Sequence, residues 1–244
     1  AVAHDPDDRF LQDSALVALV SAGEIDRAVA LATRIGSEGE PTELSRLIDR
    51  AKLVHSGDWT GLLADVGTPT DPDSEADLLA GMLRGWGLLG AGKASEALAE
   101  FERLARVEGV APMVNYHLAL ARALVGDYEG AESLLADDLT GAHILGVVAR
   151  AQILSQLDRG DEALALLSQI DGLEAEPQLL ALRQRLEQGQ PVPFDVVGGP
   201  ADGIAHLLLS FASALSSSPD PEPLALIHAR LASWIAPQNP EARL

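Results

Sequence analysis

The chain contains no cysteine. A disulfide framework, a thiol nucleophile and a thiolate metal site are therefore excluded, and either redox compartment remains compatible. Aromatic residues make up only 4% of its 244 positions, too few for a sheet sandwich built on large rings. Cations are scarce, with 17 Lys and Arg against 37 Asp and Glu, a formal net charge of −20. Such a surface repels nucleic acid phosphates and anionic lipid, so no nucleic acid partner is expected. The acidic excess reads first as a solubility device and second as a complement to a basic partner. No run of 18 apolar residues occurs, and the best candidate, 203–219, carries His206 and five serines, so no membrane insertion is expected.

What the chain does have is Ala, Leu and Gly within a 47% apolar composition, and one local pattern that returns. A central stretch from Leu118 to Leu135 reads as a helix, a Gly126-Asp127 corner, and a second helix with the small residue Ala131 at the crossing. Corners of the same kind lie at Gly23, Gly57, Gly92 and within Asp158-Arg-Gly-Asp-Glu-Ala163. The corresponding second-helix positions are Ala28, Leu62, Ala97, Ala131 and Ala163, spaced 34, 35, 34 and 32 residues apart. Glycine suits the left-handed position after a helix end, and an Asp, Glu or Ser beside it can cap the next helix. Leu62 departs from the small-residue rule, so that pairing is either looser or given room by Gly61. Three glycines in one helix, Gly81, Gly85 and Gly87, point to close approach of a neighbour, because each weakens the helix by about 1 kcal/mol relative to Ala.

A period of about 34 residues in helix-turn-helix units resembles the tetratricopeptide repeat family. The best matches place Gly85, Ala119 and Ala151 in the small slot of the first helix, and Phe101, Leu135 and Leu167 in the large slot of the second. The resemblance covers residues 1 to about 170 and implies an all-α, right-handed helical-hairpin solenoid. The expected organisation is the tail of a truncated repeat at 1–8, five helix pairs over 9–170, and divergent C-terminal helices over 171–244. Ala1 to Asp8 and the last residues, from Ala236, both look like parts of further repeats, so the array is expected to be trimmed at both ends. The run including Pro191-Val-Pro-Phe-Asp195 also resembles repeat proteins of alphaproteobacteria made with export signals. That likeness implies a bacterial protein, with a periplasmic location favoured over a cytoplasmic one.

Chemistry-bearing motifs are weak. Gly85-Trp-Gly-Leu-Leu-Gly90 matches a dinucleotide fingerprint, and Gly87 to Lys93 approaches a phosphate-binding loop; both need a preceding strand, and a helix is predicted there. Asp71, Asp73, Glu75 and Asp77 alternate like a calcium loop but lack its central Gly and final Glu, so a helix-capping loop is the better account. The six histidines His4, His55, His117, His143, His206 and His228 never fall three or four apart. No catalytic residue, metal ligand or cofactor is therefore assigned, and no enzyme is expected. Arg50, Arg84, Arg122 and Arg150 place one cation on each of four first helices, and pairing with nearby carboxylates is preferred to an exposed ladder.

The resemblance implies that first helices line a concave surface receiving an extended peptide or a helix. In this register Met82, Trp86, Tyr116, Leu120 and Gln152 face the groove, with packing between units as the alternative for Met82 and Trp86. No cation occupies the slots that would clamp a peptide carboxylate. The expected function is a protein-protein interaction scaffold or adaptor. A small-ligand sensor with a pocket at the break between residues 189 and 202, and a self-associating structural element, remain as alternatives.

Overall fold

The computed structural model describes residues 8–68, 76–137, 144–170, 177–216 and 223–238. The tail 1–7, the acidic loop with Asp71, Asp73 and Glu75, His4, His143, the start of the fifth pair at Thr140 and the closing residues from Asn239 lie outside the described residues. Among those described there are thirteen helices and no strand. No helix among them is long and apolar enough to cross a membrane.

The helices are α1 (Arg9–Ser21), α2 (Ile25–Glu38), α3 (Glu43–His55), α4 (Trp59–Val66), α5 (Ala76–Gly90), α6 (Ala94–Leu104) and α7 (Ala111–Leu124). There follow α8 (Tyr128–Leu135), α9 (Ile144–Gln156), α10 (Gly160–Leu167), α11 (Pro177–Glu187), α12 (Pro200–Ser216) and α13 (Pro223–Ile235). They fall into two compact units, one comprising Ala1–Gly67 with Ala201–Leu244, the other Thr68–Pro200.

The predicted corners are present and share one hydrogen-bonding scheme. At each, the residue in the left-handed region donates three positions back, and its successor donates five back. Gly23 bonds Val20 (2.9 Å) and Glu24 bonds Leu19 (2.9 Å); Gly126 bonds Ala123 (3.0 Å) and Asp127 bonds Arg122 (2.9 Å). The same pair of bonds recurs at Gly57, Gly92, Asp158 and Gly189. This is the Schellman closure, which satisfies carbonyls left over at a helix end. The corner position of the fifth pair is taken by Asp158, at φ 57°, not by Gly160. The sixth closure, at Gly189 after α11, is followed by an irregular segment in place of a second helix.

Capping is more selective than the sequence pattern implies. Asp58 accepts the Gly61 amide (2.9 Å) and Asp127 accepts the Gly130 amide (3.0 Å). Glu24, Lys93 and Arg159 make no side-chain cap. Glu24 pairs with Arg27 instead, and the two cations have no acceptor to offer.

In the second unit, α5/α6, α7/α8 and α9/α10 pair as hairpins, and α6, α8 and α10 pack onto the next first helix in the chain. Small-to-large pairing explains how closely these helices meet. A methyl group built on Gly85 would sit 2.6–2.9 Å from three Phe101 ring carbons, and one on Gly81 would sit 2.9 Å from Leu104. Ala151 and Leu167 share a buried cluster with Ala163, Leu179, Leu182, Leu186 and Val192.

In the first unit, α1/α2 and α3/α4 pair, α2 packs on α3, and α13 lies against α1 and α3. Leu62 is fully buried, and Gly61 lies so near Leu53 that a methyl group there would come within 3.0 Å. Gly61 therefore provides the room that Leu62 does not. The C-terminal residues are tied to α3 by ring stacking of His55 on Trp234 (4.0 Å, 14° between planes). The His55 Nδ1–H also donates to the Trp234 carbonyl at 2.9 Å. Residues after 200 thus return to the first two pairs, where the sequence pattern alone reads them as a continuation of the fifth.

Candidate functional site

Met82 and Trp86 lie on α5, Tyr116 and Leu120 on α7, and Gln152 on α9. All five are buried, with Gln152 the most exposed at 6%. Met82, Trp86, Tyr116 and Leu120 serve as packing elements here, which is the alternative weighed for Met82 and Trp86. Trp86 meets Phe101 of α6 edge-on (centroids 5.5 Å) and His117 of α7 (6.0 Å). Its indole N–H donates to His117 Nδ1 at 3.3 Å, which places the imidazole proton on Nε2. Tyr116 meets the same imidazole edge-on at 5.5 Å. The structure thus gathers Trp86 and Tyr116 around His117, which in sequence is only one of six scattered histidines. The fingerprint glycines Gly85, Gly87 and Gly90 lie within α5 and Gly92 forms its corner, so no phosphate loop exists there.

Gln152 has a different environment. It faces the segment 191–195, which runs without regular structure along α9. Its amide oxygen accepts the Asp195 N–H (2.9 Å) and its amide nitrogen donates to Asp195 Oδ1 (2.6 Å). Ser155 Oγ accepts the Val192 N–H (2.9 Å), and Gln156 Nε2 donates to the Val192 carbonyl (2.6 Å). Arg185 of α11 donates to the Pro191 carbonyl at 3.2 Å. Gln152, Ser155 and Gln156 are spaced three and four apart, so one face of α9 presents them together. Val192 is 2% exposed and belongs to the cluster between α9, α10 and α11. Ser155, Gln156, Val192 and Asp195 escape sequence reasoning. The available signal was two amides and a hydroxyl on one side of a helix that is apolar apart from them and Arg150.

Arg50, Arg122 and Arg150 of the arginine series pair with carboxylates, as preferred. Arg50 bonds Asp65 (2.6 Å), Arg122 bonds Glu102 (2.8 Å) and Asp127 (2.7 Å), and Arg150 bonds Glu132 (2.9 Å). Two of these links join a first helix to the second helix of the preceding pair. Glu132 is shared with Arg159 (3.4 Å), which also grips Glu162 (2.6 Å) and holds that carboxyl below its ordinary range.

The first unit also carries a polar cleft of about 440 Å³ between α2, α3 and α4. Thr33, Arg46, Asp49, Lys52 and Asp65 lie on its walls. Burial pushes the Asp49 carboxyl above its ordinary value; the hydroxyl bond from Thr33 (2.8 Å) and the charge of Lys52 oppose this, and Asp65 adds to it. Among the described residues no three His, Asp or Glu side chains are grouped to hold a metal ion. No family model matches the chain, and no curated protein or solved structure matches it either.

Proposed function

We propose that this chain is a tetratricopeptide-type repeat protein that works as a protein-binding scaffold, taking partner segments on its first helices. Right-handed stacking of the five hairpins belongs to the same proposal. One observation carries it: both segments that the chain lays over its repeats rest on first helices. A stretch without regular structure, whose prolines favour an extended chain, is held on α9 through side-chain hydrogen bonds to its backbone, and a helix, α13, lies against α1 and α3. Extended strands and amphipathic helices are the two forms in which such grooves accept foreign chains. Selection of displayed peptides on the whole chain tests the proposal, with hydrogen exchange used to map the footprint. Protection on first helices is the expected result; protection confined to α2, α4, α6, α8 and α10, or no selectable binder, refutes it.

The cleft between α2, α3 and α4 favours a second reading, a sensor for a small amphoteric molecule. Cations and carboxylates both line it, as a ligand with an amine and an acid group requires. Retention of such a ligand in native mass spectrometry, lost in Lys52→Ala, would promote that reading over the first. Monomeric sedimentation at all concentrations would remove self-assembly from consideration.

A further inference from the structure

We infer that the face of α9 is a recognition site for an extended peptide carrying an aliphatic residue and, three positions later, a carboxylate, and that residues 191–195 occupy it in place of a partner. This inference rests on the scaffold reading above and deepens it.

The groups on α9 address a backbone. Ser155 and Gln156 together read both polar groups of Val192, its N–H and its carbonyl. Gln152 reads the N–H of residue 195 and, with its other end, the carboxylate of that residue. Pro191 and Pro193 have no N–H, so of residues 191–193 only Val192 offers a main-chain donor, and α9 meets it with an acceptor. Prolines also hold a segment extended before it docks, which lowers the ordering cost of binding. Specificity comes from two points. Val192 enters the apolar cluster with Leu182 and Leu186, while the side chains of Pro191, Pro193 and Asp195 remain exposed. Main-chain bonds with a pocket for one side chain and a polar reader for another make a peptide site.

The occupant is also held in a way that permits exchange. The bonds fixing Val192 and Asp195 to α9 come from its side chains, so releasing them leaves the helix's own hydrogen bonds intact. A partner segment with the Val-x-x-Asp spacing can satisfy the same groups. The tethered occupant then sets a threshold that the partner's affinity or local concentration must exceed.

The experiment uses the full chain and a fluorescent nine-residue peptide with the sequence of residues 189–197. Val192→Ala with Asp195→Ala weakens the tethered segment, and anisotropy reads peptide binding. The weakened variant is expected to bind at least about tenfold tighter than the wild type, because its site is more often vacant. Adding Gln152→Ala and Ser155→Ala should abolish the gain, as should a peptide with Ala at both anchor positions. A folded weakened variant that does not bind the peptide overturns the inference. A weakened variant that has lost its helical circular dichroism overturns it as well, because the segment is then part of the unit's indispensable core. In the unaltered protein, Val192 and Asp195 amides should exchange before those of α9; exchange in a single event with α9 counts against the inference. If displayed peptides bind other first helices while the 189–197 peptide does not bind, the scaffold reading stands and this inference falls. If neither binds, both fall.

Discussion

Replacing Gly85 with Ala tests the packing logic of the repeats more directly than any deletion. Helix propensity alone predicts a gain of about 1 kcal/mol, since Gly is that much poorer than Ala inside a helix. The structure predicts the opposite sign. The new methyl carbon would lie 2.6, 2.8 and 2.9 Å from three ring atoms of Phe101, where carbon atoms prefer roughly 3.5–4.0 Å. Phe101 cannot swing away, because it is fully buried and packed edge-on against Trp86 at 5.5 Å. Overpacking of a tight core costs about 1–3 kcal/mol, and a clash with three atoms at once belongs at the upper end. Subtracting the propensity gain leaves a net loss of about 2 kcal/mol, or a melting point lowered by about 4–8 °C for a protein of this size. Thermal and urea unfolding of the single variant measure the loss. Adding Phe101→Leu should restore part of it, with a coupling of about 1 kcal/mol in the double-mutant cycle. A Gly85→Ala protein as stable as the parent, or additive behaviour of the pair, would refute the small-to-large account of the hairpin.

Asp158→Gly should stabilise by about 1 kcal/mol in urea titrations, because only glycine occupies φ 57° without penalty from a side chain. Trp86→Ala should cost about 3–5 kcal/mol, since the ring is fully buried; a stable variant that loses only peptide binding would reinstate it as a groove anchor. Glu132→Ala leaves Arg150 and Arg159 without their shared partner and should cost about 0.5–1 kcal/mol, shrinking as salt is added. His228 should make the protein acid-sensitive. Burial lowers its folded-state pKa, the Leu224 carbonyl opposing this, so its contribution is whole above the unfolded value near 6.5 and is lost as pH falls from there through the folded value. The urea midpoint should drop between pH 7.5 and 5 by more in the wild type than in His228→Gln.

The corners were readable in advance because they depend on local chemistry: Gly23, Gly57, Gly92 and Gly126 all adopt positive φ. The closeness of Gly85 to Phe101 was also legible, since a slot pattern at fixed spacing fixes which side chains meet. The expected groove residues lie on the helices named for them and are buried there. Periodicity reports which face of a helix is apolar, and a buried face and a binding face look alike in one sequence. Two features needed coordinates. The Pro191–Asp195 stretch reads as a break, and only its partners on α9 show it to be docked. Likewise, Trp234 finds His55 from 179 positions away, a distance over which no local pattern carries information.

That same long-range closure has a consequence for how the protein is made. The first unit is discontinuous, and α13 leaves the ribosome long after the α1 and α3 surfaces that it meets. At about 5–20 residues per second, 179 positions correspond to a wait on the order of ten to forty seconds. During that interval the nascent hairpins carry a naked greasy flank while the intervening unit, whose sequence is contiguous, is free to finish. Until α13 arrives, the surfaces of α1 and α3 that it covers have no cover from it.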